Sequence, residues 1–203
     1  MADSYEGRTI PIDLETVAEA RLVVQALGGS QSAFEQIVGR YQRPVISLIA
    51  RITGDRTQAE DLAQETFVKA FRNLAAFDTT RRLSSWLFRI AHNTAIDAMR
   101  RSRPRASLDA AHNASAAGPG EPAAPPGPDP VERQELGRAL EAALAELRSD
   151  QRAAIVLRYD NGLSFDEIGS VLGVPEATAR SHVHRARKEL ARLLTASGWA
   201  PPR

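Results

Sequence analysis

Cysteine is absent from the 203-residue chain. That excludes disulfides, zinc ribbons and thiol chemistry, and it fits a reducing compartment. An excess of charge of one sign is lacking too: 26 basic against 25 acidic side chains leave a formal net charge of +1. Whole-chain charge therefore points to no polyanionic partner, and local charge has to carry any such argument. No run approaches the roughly 20 apolar residues of a membrane span. Met1 to Leu14 carries acidic residues and no apolar centre, unlike a secretory leader. These absences predict a soluble, cytoplasmic protein without membrane insertion. What is present, 43% hydrophobic and 25% charged residues, suits a globular protein, and the length allows one large domain or two small ones.

The composition changes sharply after Arg105. Residues 106–130 read ASLDAAHNASAAGPGEPAAPPGPDP, too poor in branched and aromatic side chains to offset the entropy of ordering. This predicts a disordered linker between two modules, 14–105 and 131–196. Both flanks have helical periodicity and no segment alternates with period two, so the expected fold is all-α. A weak amphipathic helix runs from Val17 to Leu27. Phe34, Ile37, Val38, Tyr41, Val45, Leu48, Ile49 and Ile52 mark two further helical stretches, with a kink or break expected at Pro44. Gly54 ends this segment, and Asp55 with Gln58 reads as a capping box for a helix that buries Ala63, Phe67, Ala70, Phe71 and Leu74. Another helix, from about Ser84 to Arg101, buries Leu87, Ile90, Ala91 and Ala95. The second module opens with Leu136, Leu140, Ala143, Leu144 and Leu147 on one face. A short helix from about Asp150 to Tyr159 follows, ended by Asn161-Gly162.

Leu163 to Leu190, LSFDEIGSVLGVPEATARSHVHRARKEL, is the most informative stretch. Ser164 and Glu167 form a capping box, with Leu163 and Ile168 as a hydrophobic staple around it. Gly173 supplies a left-handed end, Val174 plugs the turn and Pro175 starts the next helix. This is a helix-turn-helix. Its second helix is rich in Arg and Lys, with Glu189 as the single nearby acid. Arginine and lysine neutralise phosphates, bidentate arginine reads guanine edges, and the first turns of such a helix sit deepest in the major groove. Thr178, Arg180, Ser181, His184 and Arg185 are expected near bases, and Arg187 and Lys188 nearer the backbone. His182 and His184 point to different helix faces, and nothing completes a metal site around them.

In the first module, polar residues at Glu60, Asp61, Gln64 and Glu65 lie opposite an apolar stripe. Further on, Arg81-Arg82-Leu83-Ser84-Ser85-Trp86-Leu87-Phe88-Arg89-Ile90-Ala91-His92-Asn93 interleaves cations with aromatics. Single-stranded nucleic acid takes such a pattern, charge for its phosphates and flat faces for its unstacked bases. Packing of Trp86 and Phe88 in the core is the competing reading.

The runs DLAQETFVKAF, SSWLFRIAHNTAIDAMRR and EIGSVLGVPEATARSHVHRAR, in this order, resemble bacterial sigma factors of the sigma-70 family. The resemblance is to the compact extracytoplasmic-function (ECF, group IV) kind, which keeps only regions 2 and 4, and it extends from about Phe34 to Leu194. It implies a non-enzymatic factor without cofactor that binds the β′ and β subunits of core RNA polymerase and promoter DNA, both duplex and single-stranded. For many members it also implies an anti-sigma factor encoded elsewhere. Carried onto matching residues, it implies polymerase binding by Asp61, Gln64 and Glu65. The downstream (−10) element would fall to Arg81, Arg82, Ser84, Trp86, Arg89 and Asn93, and the upstream (−35) element to the helix after Pro175. Leu83, Gly169, Ala179 and His182 depart from the family's usual residues. The rival reading is a polymerase-independent regulator of LuxR-like type, which would need an α/β receiver or ligand-binding domain. A protein-only adaptor fits the basic helix poorly. An enzyme fits least, for there is no phosphate-binding loop, nucleophile elbow or metal-ligand spacing.

Overall fold

The computed structural model describes residues 14–102 and 130–199. The expected linker, apart from Pro130, lies outside them. Among the described residues the chain is all-α, as expected, with eight α-helices and one 3-10 turn. The first module comprises α1 (Leu14–Leu27), α2 (Gln31–Thr53), α3 (Arg56–Arg72), the 3-10 turn Leu74–Ala76 and α4 (Leu83–Ser102). The second comprises α5 (Pro130–Glu146), α6 (Ser149–Tyr159), α7 (Phe165–Leu172) and α8 (Glu176–Ala196). Helix α5 thus begins on the last residue assigned to the linker, where a proline suits a first turn.

Pro44 does not break the chain. Helix α2 runs continuously through it, although proline removes one backbone hydrogen bond and its ring crowds the carbonyl one turn back, at a cost of about 3 kcal/mol. Burial on both sides of the proline offsets that cost: Ile37, Tyr41, Val45, Leu48, Ile49 and Ile52 are all in the core, packed on α3 and α4. Gly54 ends α2 in the left-handed conformation (φ 77°). Only half of the expected capping box at α3 forms. The Asp55 side chain accepts from the Gln58 N–H at 3.0 Å, while the Asp55 N–H is taken by the Thr53 hydroxyl at 3.3 Å. In α5, Ala143, Leu144 and Leu147 are buried as expected, but Leu136 and Leu140 are 37% and 36% exposed. The apolar stripe is longer than the surface covering it.

Helix α1 contributes a residue that periodicity could not single out. Glu19 is 1% exposed, accepts from the Tyr41 hydroxyl, and accepts from the Leu83 N–H at 2.9 Å. One buried carboxylate thereby ties α1 to α2 and satisfies an N–H that the first turn of α4 cannot satisfy itself, at the positive end of that helix. Glu19→Ala is expected to destabilise the first module by about 2–4 kcal/mol, because a phenol and an amide are left buried without an acceptor. A urea titration would show this as a lower midpoint, and a loss under about 0.5 kcal/mol would exclude the role.

The two modules pack against each other, α4 on α7 and α2 on α6. Arg152 of α6 is 6% exposed, and its guanidinium donates to Ala145 O (2.6 Å), Leu147 O (2.8 Å) and, across the module boundary, Arg51 O (2.8 Å). Arg51 reaches back to Glu141 and to Asp160, each at 3.0 Å. Nearby, Arg82 at the start of α4 lies 3.9 Å from Glu167 of α7.

Candidate nucleic-acid interface

The helix-turn-helix forms as its sequence dictates. Ser164 Oγ accepts from the Glu167 N–H at 3.2 Å, and Glu167 accepts from the Ser164 N–H at 2.7 Å, completing the box. The staple residues Leu163 and Ile168 are fully buried. Gly173 takes φ 69° and ends α7, and Val174 packs against the core. Gly169 also has a reason to lack a side chain: an added Cβ would stand 2.7 Å from Val174 O. Pro175, expected as the first helical residue, instead precedes α8 with ψ 149°. Its carbonyl still accepts from the Thr178 and Ala179 N–H groups.

Helix α8 buries Ala179, Val183, Ala186 and Leu190. The opposite face therefore presents Arg180, Ser181, His184, Arg185, Arg187 and Lys188, all exposed, with Thr178 half-buried at its edge. The acids beside this face are already matched. Glu189 binds Arg192 through both Nε and Nη2; that hydrogen bonding holds its carboxyl below the usual range and pushes the Arg192 guanidinium up. Glu176 pairs with Arg180 at 2.6 Å, a partner that the sequence reading did not identify. Arg185, Arg187 and Lys188 are left as the cationic remainder of the face.

A second concave surface lies between the end of α3 and α4. Lys69, Asn73, Ala76, Trp86, Arg89, Ile90, Asn93 and Thr94 line it, so Trp86, Arg89 and Asn93 converge. Three of the six residues expected at the −10 element thus share one cleft. Trp86 is half-buried: it packs on Phe77 with ring centroids 5.3 Å apart and also lines the open cleft. Lys69, which the sequence reading missed, joins α3 to α4 by donating to Thr94 at 3.1 Å and pairs with Glu65 at 2.7 Å. Its signal was the spacing of Lys69 and Asn73 at one turn near the end of α3. The loop before α4 is held by Asp78, which accepts from Thr80 Oγ1 at 2.7 Å and Thr80 N at 3.0 Å. These bonds hold the Asp78 carboxyl below its ordinary range. Arg81, on the same loop, is exposed.

The other expected −10 residues are placed differently. Ser84 is 7% exposed and its hydroxyl meets no partner, because the turn that opens α4 directs it into the protein. Arg82 is half-buried and directed at Glu167 of the second module. Phe88, read as a possible base-stacking aromatic, is a core residue at 2% exposure. One turn on, His92 is buried without a partner for either ring nitrogen. Burial lowers its pKa, against the raising influence of Asn93 and of Asp150 in α6.

On the far side of α3, Asp61 and Gln64 are exposed, while Glu65 is half-buried and tied to Lys69. A groove runs beside Gln64, lined by Val38, Gln42 and Ile46 of α2 and Glu60, Ala63 and Phe67 of α3. Val38 belongs to the apolar periodicity of α2, which conceals its place in the groove; Val38, Gln42 and Ile46 follow one another at single-turn spacing. Among the described residues no group of His, Asp and Glu could hold a metal ion, and no helix is long and apolar enough to cross a membrane.

A helix-turn-helix with a basic face, joined to a helical module carrying an aromatic, cationic cleft, defines a DNA-binding protein of the transcription machinery. Residues 37–105 match the family described as Sigma-70 region 2, and residues 137–190 match Sigma-70, region 4. The ECF RNA polymerase sigma factor SigW of Bacillus subtilis is 35% identical over 186 residues, covering 85% of this chain and 94% of the relative. The RNA polymerase sigma-H factor of Pseudomonas aeruginosa is 34% identical over 181 residues, covering 87% and 93%. The solved structure of CnrH in complex with the cytosolic domain of CnrY matches at a TM-score of 0.65 and 30% identity, over 88% of this chain and 98% of that one. That of the sigma factor RpoE with the anti-sigma factor NepR from Bartonella quintana matches at 0.60 and 26%, over 80% and 96%. The chain belongs to the sigma-70 family, as a sigma factor of the extracytoplasmic-function type that directs transcription initiation.

Proposed function

We propose that this sigma factor, cytoplasmic and of the group IV kind, binds core RNA polymerase through α3 and reads a promoter at two places. Region 2, residues 14–105, would hold the melted −10 element in the Trp86 cleft. Region 4, residues 131–196, would read the −35 duplex with Thr178, Arg180, Ser181, His184, Arg185, Arg187 and Lys188. Residues 106–130 would span the two. The observation that carries the reading is the convergence of Trp86, Arg89 and Asn93 with Lys69 on one cleft. An aromatic face beside cations suits an unstacked base and its phosphate. Arg81 extends the cationic surface. Arg82 would join it only when the modules part, and Ser84 only with a rearranged first turn of α4. Because CnrH and RpoE were solved with CnrY and NepR, an anti-sigma protein is proposed as a further partner. In vitro transcription with core polymerase and a randomised promoter library tests the whole reading. Selection of a two-element consensus supports it, and polymerase-independent duplex binding without transcription would favour the LuxR-like alternative.

The polymerase contact has its own test. Asp61 and Gln64 are exposed, so the double variant Asp61→Ala, Gln64→Ala should change stability by no more than about 0.5 kcal/mol. Its affinity for core polymerase should fall at least about tenfold, two lost polar contacts at about 1 kcal/mol or more each. Unchanged affinity in a pull-down titration would remove the assignment of this face.

A further inference from the structure

Arg180 does not stand free in the first turns of α8. Its guanidinium carbon lies 4.9 Å from the centroid of the Phe165 ring, and its Nη2 meets Glu176 at 2.6 Å. Phe165 belongs to α7, the helix before the turn, so the contact crosses the motif. A second cation, Arg158 at the end of α6, lies 4.8 Å from the same ring. It is anchored in turn by donating from Nη1 to Leu163 O at 2.7 Å. The ring is half-buried against the core, which fixes its plane, whereas Arg180 is exposed.

We propose that Phe165 is a positioning residue for base readout: its ring holds the Arg180 guanidinium, steered by Glu176, in the orientation that contacts one base pair of the upstream element. This rests on the reading of α8 as the −35 reader. A free arginine gives up most of its rotamer freedom when it makes a bidentate contact with a guanine edge. Here a π face and a carboxylate already restrict the side chain in the unbound protein, so less freedom remains to lose. Glu176 engages one terminal nitrogen, and the other donors of the fork stay available. Arg158, anchored to the backbone, contacts the same ring and helps to keep it in place. The arrangement selects for a base at one place and adds nothing to phosphate attraction elsewhere.

The test uses holoenzyme reconstituted from the full chain and core polymerase, with upstream-element duplex variants drawn from a library selected by the wild-type holoenzyme. Each base pair is substituted in turn and discrimination is measured. Arg180→Ala should erase discrimination at one position by about tenfold. Phe165→Leu should reduce it at that same position by about three- to tenfold, the range a cation–π contact supplies, and leave the other positions unchanged. The double variant should match Arg180→Ala alone, and Phe165→Tyr, which keeps the ring face, should retain the discrimination. Phe165→Met, close in volume, replaces Phe165→Leu if the latter lowers the urea midpoint. Uniform loss at every position, additivity with Arg180→Ala, or intact discrimination without the ring would overturn the positioning role. If Arg180→Ala changes discrimination nowhere, the assignment of Arg180 as a base reader fails and the positioning role falls with it.

Discussion

Arg152→Ala is expected to cost the second module about 3–5 kcal/mol, the sum of three lost hydrogen bonds at roughly 1–2 kcal/mol each. The guanidinium serves carbonyls of Ala145, Leu147 and Arg51, and alanine supplies no donor to any of them. A buried carbonyl left unsatisfied costs about 1–3 kcal/mol, which applies in full to Leu147 O and less to the partly buried Ala145 O and Arg51 O. Burial lowers the Arg152 pKa, partly opposed by Glu146. Since small domains hold only about 5–15 kcal/mol in all, the helix-turn-helix should be partly unfolded at 37 °C in this variant. Arg152→Lys should recover less than half of the loss, because one ammonium cannot span three carbonyls in a planar fork. Urea unfolding followed on residues 130–199 in the full chain measures the difference. A loss below about 1 kcal/mol would mean that water satisfies these carbonyls equally well.

Trp86→Ala should lower open-complex formation by about five- to 150-fold, the equivalent of the 1–3 kcal/mol that stacking of a base on an aromatic supplies. The side chain is packed on Phe77 yet lines the cleft, so two effects must be separated. Loss of packing would lower stability and affect every template alike. Loss of a stacking platform would spare templates already melted at the downstream element, since the opening has then been done beforehand. Expected, therefore, is a large defect on duplex promoters and a small one on premelted promoters. A folded variant that opens duplex promoters at the wild-type rate would rule out the platform.

Local features were the legible part of this molecule. The capping box at Ser164, the staple of Leu163 and Ile168 and the left-handed Gly173 are set by neighbours within a few positions, and all formed. Pro44 misled because the cost of a helical proline is local, while the burial that offsets it comes from α3 and α4. Glu19 and Arg152 were invisible for the same reason. One partner of each lies 64 and 101 positions away, and no periodicity connects a lone acid in α1 with the first turn of α4. Within the candidate interface, the exposed face of α8 followed from its buried stripe. Glu176 and Phe165 were overlooked because they act on Arg180 rather than presenting charge themselves. Arg82 was misplaced because motif matching assigns a residue to a ligand without asking where the adjoining module sits, and Ser84 because the turn that opens α4 directs its hydroxyl inward.

That adjoining module also carries a thermodynamic obligation. Arg82 cannot face both Glu167 and a promoter, and Arg51 cannot keep Glu141 and Asp160 while the modules separate. Any nucleic acid that takes Arg82 therefore binds with an affinity discounted by the free energy of parting α4 from α7. Linkage makes the discount reciprocal: whatever tightens the paired arrangement must weaken promoter binding by the same factor, without touching a single DNA-facing residue.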